Sequence, residues 1–391
     1  MEITTGRPVT LAPRAMVTSS HSLASAAGVD VLRAGGSAID ATIATAAVLD
    51  IVYPHMTSVG GDAFWLIHDG KTKKTKYIDG GGRAAANATI QRLTEISNDE
   101  IPLKGIIPAT LTTPGAVASW SLAHAEYGRL SMARVLEHAI GYARDGFPVT
   151  QRLVNAINLQ KSELAKHKES AEIFLPGGDT PNLGALQKNI NLARTLEIYA
   201  RDGLSGFYEG DVGNELARFS KKNDGIFRSE DLAAQKAKWG EPIVGHYGGA
   251  TIYNTPAPTQ GFTVLEMMHL LEPLELQKLP MLSAERIHHL VQAKQIAFND
   301  RDLLLADPEF VAVPVDRLIS QSYADERRHL MDPSLALPWD KVPSYGNLNG
   351  DTVYIGCVDE FGNAVSFIQS LYGIFGSAIV AGDTGIVLQN R

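Results

Sequence analysis

The chain has 391 residues, is 45% hydrophobic and 20% charged, and its 43 acidic against 35 basic side chains leave a net charge of −8. This is an ordinary globular composition, and a net negative chain without basic blocks or interleaved basic and aromatic residues is unsuited to a phosphate backbone, so no nucleic-acid partner is expected. The single cysteine, Cys357, cannot form an intrachain disulfide. No window approaches about eighteen consecutive apolar residues, and the start lacks the apolar stretch of a secretory signal, so a cytoplasmic location without a membrane span is expected.

In chain order, residues 22–52 read as two alanine-rich helices, SLASAAGVDVLRA and SAIDATIATAAVLDIV, separated by Gly35-Gly36. Ser37 and Asp40 have capping-box spacing, and Tyr53, which precedes a proline, ends the second helix. So many small side chains predict close packing against a sheet or a neighbouring helix. AFWLIHDGKTKKTKYIDG reads as a hairpin turning at Asp69-Gly70, with Lys71, Lys73 and Lys74 at a solvated tip. Helical patterns dominate residues 114–219, and a further helix, AERIHHLVQAKQIAFNDRDLLL, follows the proline-rich NTPAPTQG. Residues 331–351, MDPSLALPWDKVPSYGNLNGD, show neither period and are rich in Pro, Gly and Asn, the composition of an exposed, mobile segment. The closing AIVAGDTGIVLQNR reads as strand material.

Between these last two stretches, Val353–Val358 and Ala364–Ser370 read as strands joined by the turn Asp359-Glu360-Phe361-Gly362-Asn363. Symmetry about Phe361 sets Val358 opposite Ala364 and Thr352 opposite Ser370, with Cβ atoms about 4.5–5.5 Å apart. A one-residue slip would destroy that pairing. Tyr372 is expected on the same face as Ser370. A threonine heading a strand after a mobile segment becomes a nucleophile if the peptide bond before it breaks, because its own α-amine, with an unperturbed pKa of about 7.7–8.0, can then act as base. By itself, a β-branched residue opening a strand after a Gly-Asp turn is commonplace.

Other candidates carry less. Glu285, His288 and His289 share a helical pattern, but no second cluster completes a metal-ligand set. Cys357 lies on a strand without a histidine at diagnostic spacing and reads as a small buried hydrophobe. GGDAF and DGGGR are glycine-rich without matching a phosphate loop, and tight turns account for them.

Five segments, in order, resemble γ-glutamyltransferases and their glutathione-hydrolase-like relatives: TSSHSLASAAGVDVLRAGGSAIDATIATAAVLDIVYPHMTSVGGDAF, TTPGAV, NTPAPTQGFTVLEMM, ERIHHLVQAKQIAFNDRDLLLADPEF and GDTVYIGCVDEFGNAVSFIQSLYGIFGSAIVAGDTGIVLQN. The resemblance implies an α+β fold, the four-layer αββα sandwich of N-terminal-nucleophile hydrolases, formed from a precursor that cuts itself into large and small subunits. It implies a cut between Asp351 and Thr352. Residues 1–351 would be the large-subunit-like region, with 331–351 the segment moved away after cleavage, and residues 352–391 the beginning of the small-subunit-like region. Thr352 matches the family nucleophile, Arg83 the pocket arginine that pairs with a substrate carboxylate, and Ser370 the supporting hydroxyl, a position the strand register reaches independently.

Three positions depart from the best-known members. Alanines follow Arg83 where glutamate and an alanine-proline pair are usual, Tyr372 replaces an asparagine, and Arg391 stands where a polar acceptor helps hold the substrate ammonium. These features resemble the hydrolase-like and cephalosporin-acylase-like branch, so weak γ-glutamyl hydrolysis, little transfer and comparable use of glutaryl amides are expected. Family precursors continue past the position of Arg391 and there supply an ammonium-binding acid and the oxyanion-hole amides. The fold is therefore expected to be incomplete at its C-terminus and the chain catalytically silent, with Ile386-Val387-Leu388 an unpaired edge that promotes homo-oligomers. The implied partners are a small-molecule γ-glutamyl or acyl amide and, after cleavage, the paired large and small subunits. No metal or organic cofactor is required. The alternatives are an acylase for glutaryl-like amides lacking an ammonium group, and an uncleaved relative serving as a binding or structural subunit.

Overall fold

The computed structural model describes residues 9–97, 104, 112–338 and 352–391. They fall into two compact units, one within residues 9–74, 78–239 and 352–391 and one within residues 75–77 and 240–338. Residues 352–391 thus belong to the same compact unit as residues far before them. Among the described residues, no helix is long and apolar enough to cross a membrane.

The sheet runs in the order Met16–Thr18, Val353–Val358, Ala364–Ser370, Asp62–His68, Thr75–Gly80 and Lys238–Gly240. Period-two alternation divides its faces. Val353, Ile355, Cys357, Val365, Phe367, Ala63, Trp65 and Ile67 point into the core. Tyr354, Val358 and Ile368 lie on the other face and are partly exposed.

Helix Ala38–Val52 is buried along its whole length and packs between the sheet and helices Ser22–Arg33 and Met132–Asp145. Its small side chains permit that enclosure. Gly28 lies so close to the Thr45 hydroxyl that any Cβ would overlap it. The capping box forms as expected, with Ser37 Oγ accepting from Asp40 N at 3.1 Å and Asp40 Oδ2 from Ser37 N at 2.9 Å. One α layer therefore covers one β layer, as in the expected sandwich. The core is pinned by polar contacts as well as packing: Trp120 Nε1 donates to Gln369 Oε1 at 3.0 Å, and Gln369 Nε2 donates to buried Asp50 at 2.7 Å.

The closing stretch departs from the strand expectation. It folds back on itself through the isolated bridge Val380↔Val387 around a 3₁₀ turn at Gly382–Thr384, and Leu388 bridges to Gly60. Ile386, Val387 and Leu388 are buried rather than forming an open edge. Cys357 is buried, as its sequence setting suggested.

The second unit contains a hairpin, Ile243–Tyr247 with Ala250–Asn254, and helices Gly261–Leu271, Ala284–Leu304 and Gln321–Arg328. Leu270, Leu271, Ile296 and Ala324 form part of its core. Beside them Asp300 is buried and accepts from Tyr323 Oη at 2.8 Å and from Arg327 Nη2 at 2.7 Å. Of the helical residues singled out as metal candidates, His288 places Nε2 2.7 Å from the Asp332 carbonyl.

Candidate active site

The two strands Val353–Val358 and Ala364–Ser370 have the bounds and register read from the sequence, with Val358 opposite Ala364 and Val353 opposite Gln369. One step further, Thr352 Oγ1 donates to Ser370 Oγ at 3.1 Å. Asp359 builds the turn that fixes this register: its carboxylate accepts from Phe361 N, Asn363 N and the Asn363 side chain, and also from Ala38 N at the start of the buried helix. Thr352 is exposed whereas its partner Ser370 is buried. Asp351, the other side of the expected cut, lies outside the described residues, as do residues 339–350 of the expected mobile segment.

Tyr372 does not continue the strand face. Its φ of +76° is left-handed, which breaks the alternation two residues after Ser370. Its backbone N–H turns back to donate to Ser370 Oγ at 2.8 Å, and its ring lies 5.4 Å from the Arg391 guanidinium. What Tyr372 gives the site directly is thus a backbone donor and an aromatic face.

Asp62, which the sequence reading left unremarked inside GGDAF, is the centre of the arrangement. It pairs with Ser370 across the ladder and therefore shares its face. Gly61 makes the approach possible, because a Cβ there would collide with the Ser370 carbonyl. Asp62 Oδ1 accepts from Gly82 N at 2.7 Å and from Gln389 Nε2 at 2.8 Å, and Oδ2 faces Arg391 Nη1 at 3.4 Å. Burial pushes the Asp62 carboxyl pKa up, with Arg391, Gln389 and the Gly82 amide opposing the shift.

Arg83 follows directly on Gly82, so it enters the same neighbourhood through that bond to Asp62. Its backbone is clamped on both sides. Arg83 N donates to Thr113 Oγ1 at 3.1 Å and Gln235 Oε1 at 3.2 Å, while its carbonyl accepts from Thr113 N at 3.1 Å. Thr113, within TTPGAV, and Gln235 therefore fix the loop while the Arg83 residue stays exposed. Arg391 is seated by more than Asp62: its Nη1 also lies 3.3 Å from the Ser370 carbonyl and 3.3 Å from Gln389 Oε1. The structure thus brings Thr352, Ser370, Tyr372 and Arg391 together and adds Asp62 and Gln389 to them.

A family model described as gamma-glutamyltranspeptidase matches residues 24–391. The chain belongs to the gamma-glutamyltranspeptidase family. Within the family's range it is 41% identical over 376 residues to the glutathione hydrolase-like YwrD proenzyme of Bacillus subtilis, an alignment covering 96% of this chain and 70% of that one. It is 36% identical over 381 residues to the oxamate amidohydrolase proenzyme of Klebsiella pneumoniae, with 96% and 70% covered. The cephalosporin acylase of Bacillus halodurans superposes with a TM-score of 0.89 at 34% identity, covering all of this chain and 72% of the acylase. Membership in the gamma-glutamyltranspeptidase family makes this chain an N-terminal-nucleophile hydrolase by fold and an amide-processing enzyme by class.

Proposed function

We propose that Thr352, released as an N-terminal residue by cleavage after Asp351, is the nucleophile of an amidohydrolase for small acyl amides that carry a carboxylate. The contact between Thr352 Oγ1 and Ser370 Oγ, 3.1 Å at the head of a strand whose register is fixed on both sides, carries the reading. The freed amine takes the hydroxyl proton as Oγ1 attacks the acyl carbonyl, and the collapsing tetrahedral adduct expels the leaving amine, which receives that proton. Water, deprotonated by the same amine, then attacks the acyl ester and releases the acid and Thr352. Ser370 fixes the direction of Oγ1, and Arg83 supplies a guanidinium for the donor carboxylate.

The relatives' names include glutathione, oxamate and cephalosporin chemistry, so the family accommodates donors of different acyl groups. In this chain the setting favours those without an α-ammonium. The Asp62 carboxylate already serves three donors, one of them the Arg391 cation, and an ammonium would be placed against that positive charge. Glutaryl p-nitroanilide is therefore expected to be hydrolysed with a kcat/KM equal to or above that of γ-glutamyl p-nitroanilide, with little transfer to an added dipeptide. A marked preference for the γ-glutamyl substrate, measured side by side, would contradict the donor assignment.

A further inference from the structure

We infer that Arg391 is itself an anchor for the donor's carboxylate, selecting monoamides of short dicarboxylic acids that lack an α-ammonium. The inference rests on the reading of Thr352 as nucleophile and adds to it a residue and a substrate class.

All three protein acceptors of Arg391 meet one nitrogen. Asp62 Oδ2 at 3.4 Å, Ser370 O at 3.3 Å and Gln389 Oε1 at 3.3 Å all face Nη1. These contacts are long for charge-assisted bonds, which are normally about 2.7–2.9 Å. They hold one corner of the guanidinium, and the Tyr372 ring supports the group at 5.4 Å. Among the described residues no acceptor meets Nε or Nη2, and the side chain is 32% exposed. A planar fork with one corner tethered and parallel N–H groups left over suits a carboxylate from solution. Asp62 Oδ1 is taken by the Gly82 and Gln389 donors, so Asp62 meets Arg391 through Oδ2 alone and at 3.4 Å.

Ser370 ties this cation to the nucleophile. Its carbonyl lies 3.3 Å from Arg391 Nη1 and its hydroxyl 3.1 Å from Thr352 Oγ1. With about 3–4 Å between those two oxygens of one residue, the guanidinium nitrogen and the threonine oxygen are at most about 10 Å apart. With a hydrogen bond of about 2.8 Å at one end and an attack distance of about 3 Å at the other laid along that line, a carboxylate and a scissile carbonyl about 5 Å apart bridge the two groups, a separation matched by a diacid of about five carbons.

The test uses the acids that hydrolysis would release, which bind without turning over. Isothermal titration of the full-length protein should show succinate binding at least tenfold more tightly than butyrate, which has the same carbon count and no second carboxylate. Arg391→Gln should remove most of that preference, Arg391→Lys should retain part of it, and Arg83→Ala should leave a residual preference for succinate. Equal affinity for the two acids in the unmutated protein, or an unchanged succinate preference in folded Arg391→Gln, would overturn the inference; the latter result would make Arg391 only the counterion of Asp62. Failure of Thr352-dependent hydrolysis alongside an Arg391-dependent succinate preference would instead count against the nucleophile and leave the anion anchor standing.

Discussion

Each unit buries an aspartate beside an arginine, and the two pairs are built differently. In the second unit Asp300 is held by short bonds: Tyr323 and Arg327 approach it at 2.8 and 2.7 Å, and the Arg327 side chain is 22% exposed with its Nε buried and unpartnered among the described residues. Asp62 in the first unit meets its arginine at 3.4 Å, and its shorter bonds come from a backbone amide and a glutamine. A tight pair of buried charges spends its electrostatics on holding the fold, whereas a loosely tethered, more exposed cation can offer its donors to a ligand. The difference also appears in the neighbours. Glu266 is buried near Asp300, and burial first, then Asp300, pushes its pKa up to about 9. Opposite Asp62 in the ladder lies instead Ser370, whose hydroxyl accepts from Thr352.

The sharpest way to break this contrast is Arg327→Ala. It strands Asp300 in the interior and should cost about 3–5 kcal/mol of stability, read by chemical denaturation. A loss below about 1 kcal/mol would show that the second pair is as loose as the first.

Next in size is a pH effect at Glu266. A carboxyl whose folded pKa is raised favours the folded state least when the unfolded chain can ionise and the folded one cannot. Stability from this group is therefore full below the unfolded pKa of about 4.3 and falls as pH rises toward 9. Glu266→Gln removes that loss, so it should raise the unfolding free energy by about 1–4 kcal/mol more at pH 8 than at pH 5. An equal effect at both pH values would mean that Glu266 is ionised in place.

The smallest expected effect lies at the open site. Ser370→Ala should remove one hydrogen bond to Thr352, worth about 0.5–1.5 kcal/mol, and lower kcat/KM by roughly two- to twelvefold with the fold intact. A loss of thousands-fold would give Ser370 a direct chemical role.

The parts of this account that were legible in the sequence are those set by short-range rules. The capping box of Ser37 and Asp40, the Asp69-Gly70 hairpin and the Thr352–Ser370 pairing each follow from a few consecutive residues and a fixed period. Asp62 was not legible, because its role depends on strand Asp62–His68 pairing with Ala364–Ser370, a contact between distant segments that no local pattern announces. Thr113 and Gln235 were hidden for the same reason, although TTPGAV was conspicuous as a motif. Tyr372 was misplaced because strand alternation was carried one turn too far, past the point where its φ becomes positive. The closing AIVAGDTGIVLQNR was misread because an apolar run identifies burial but not the partner, and here the chain folds back onto itself instead of extending a ladder.

The central claim is that Thr352 becomes an N-terminus and uses its own amine as base. N-terminal sequencing combined with intact mass on the purified full-length protein tests it most directly. Two chains are expected, the second beginning Thr352-Val353-Tyr354, and a single uncut chain for Thr352→Ala. An unmutated protein that stays in one piece yet hydrolyses acyl anilides, or one cut elsewhere with Thr352 still internal, would contradict it.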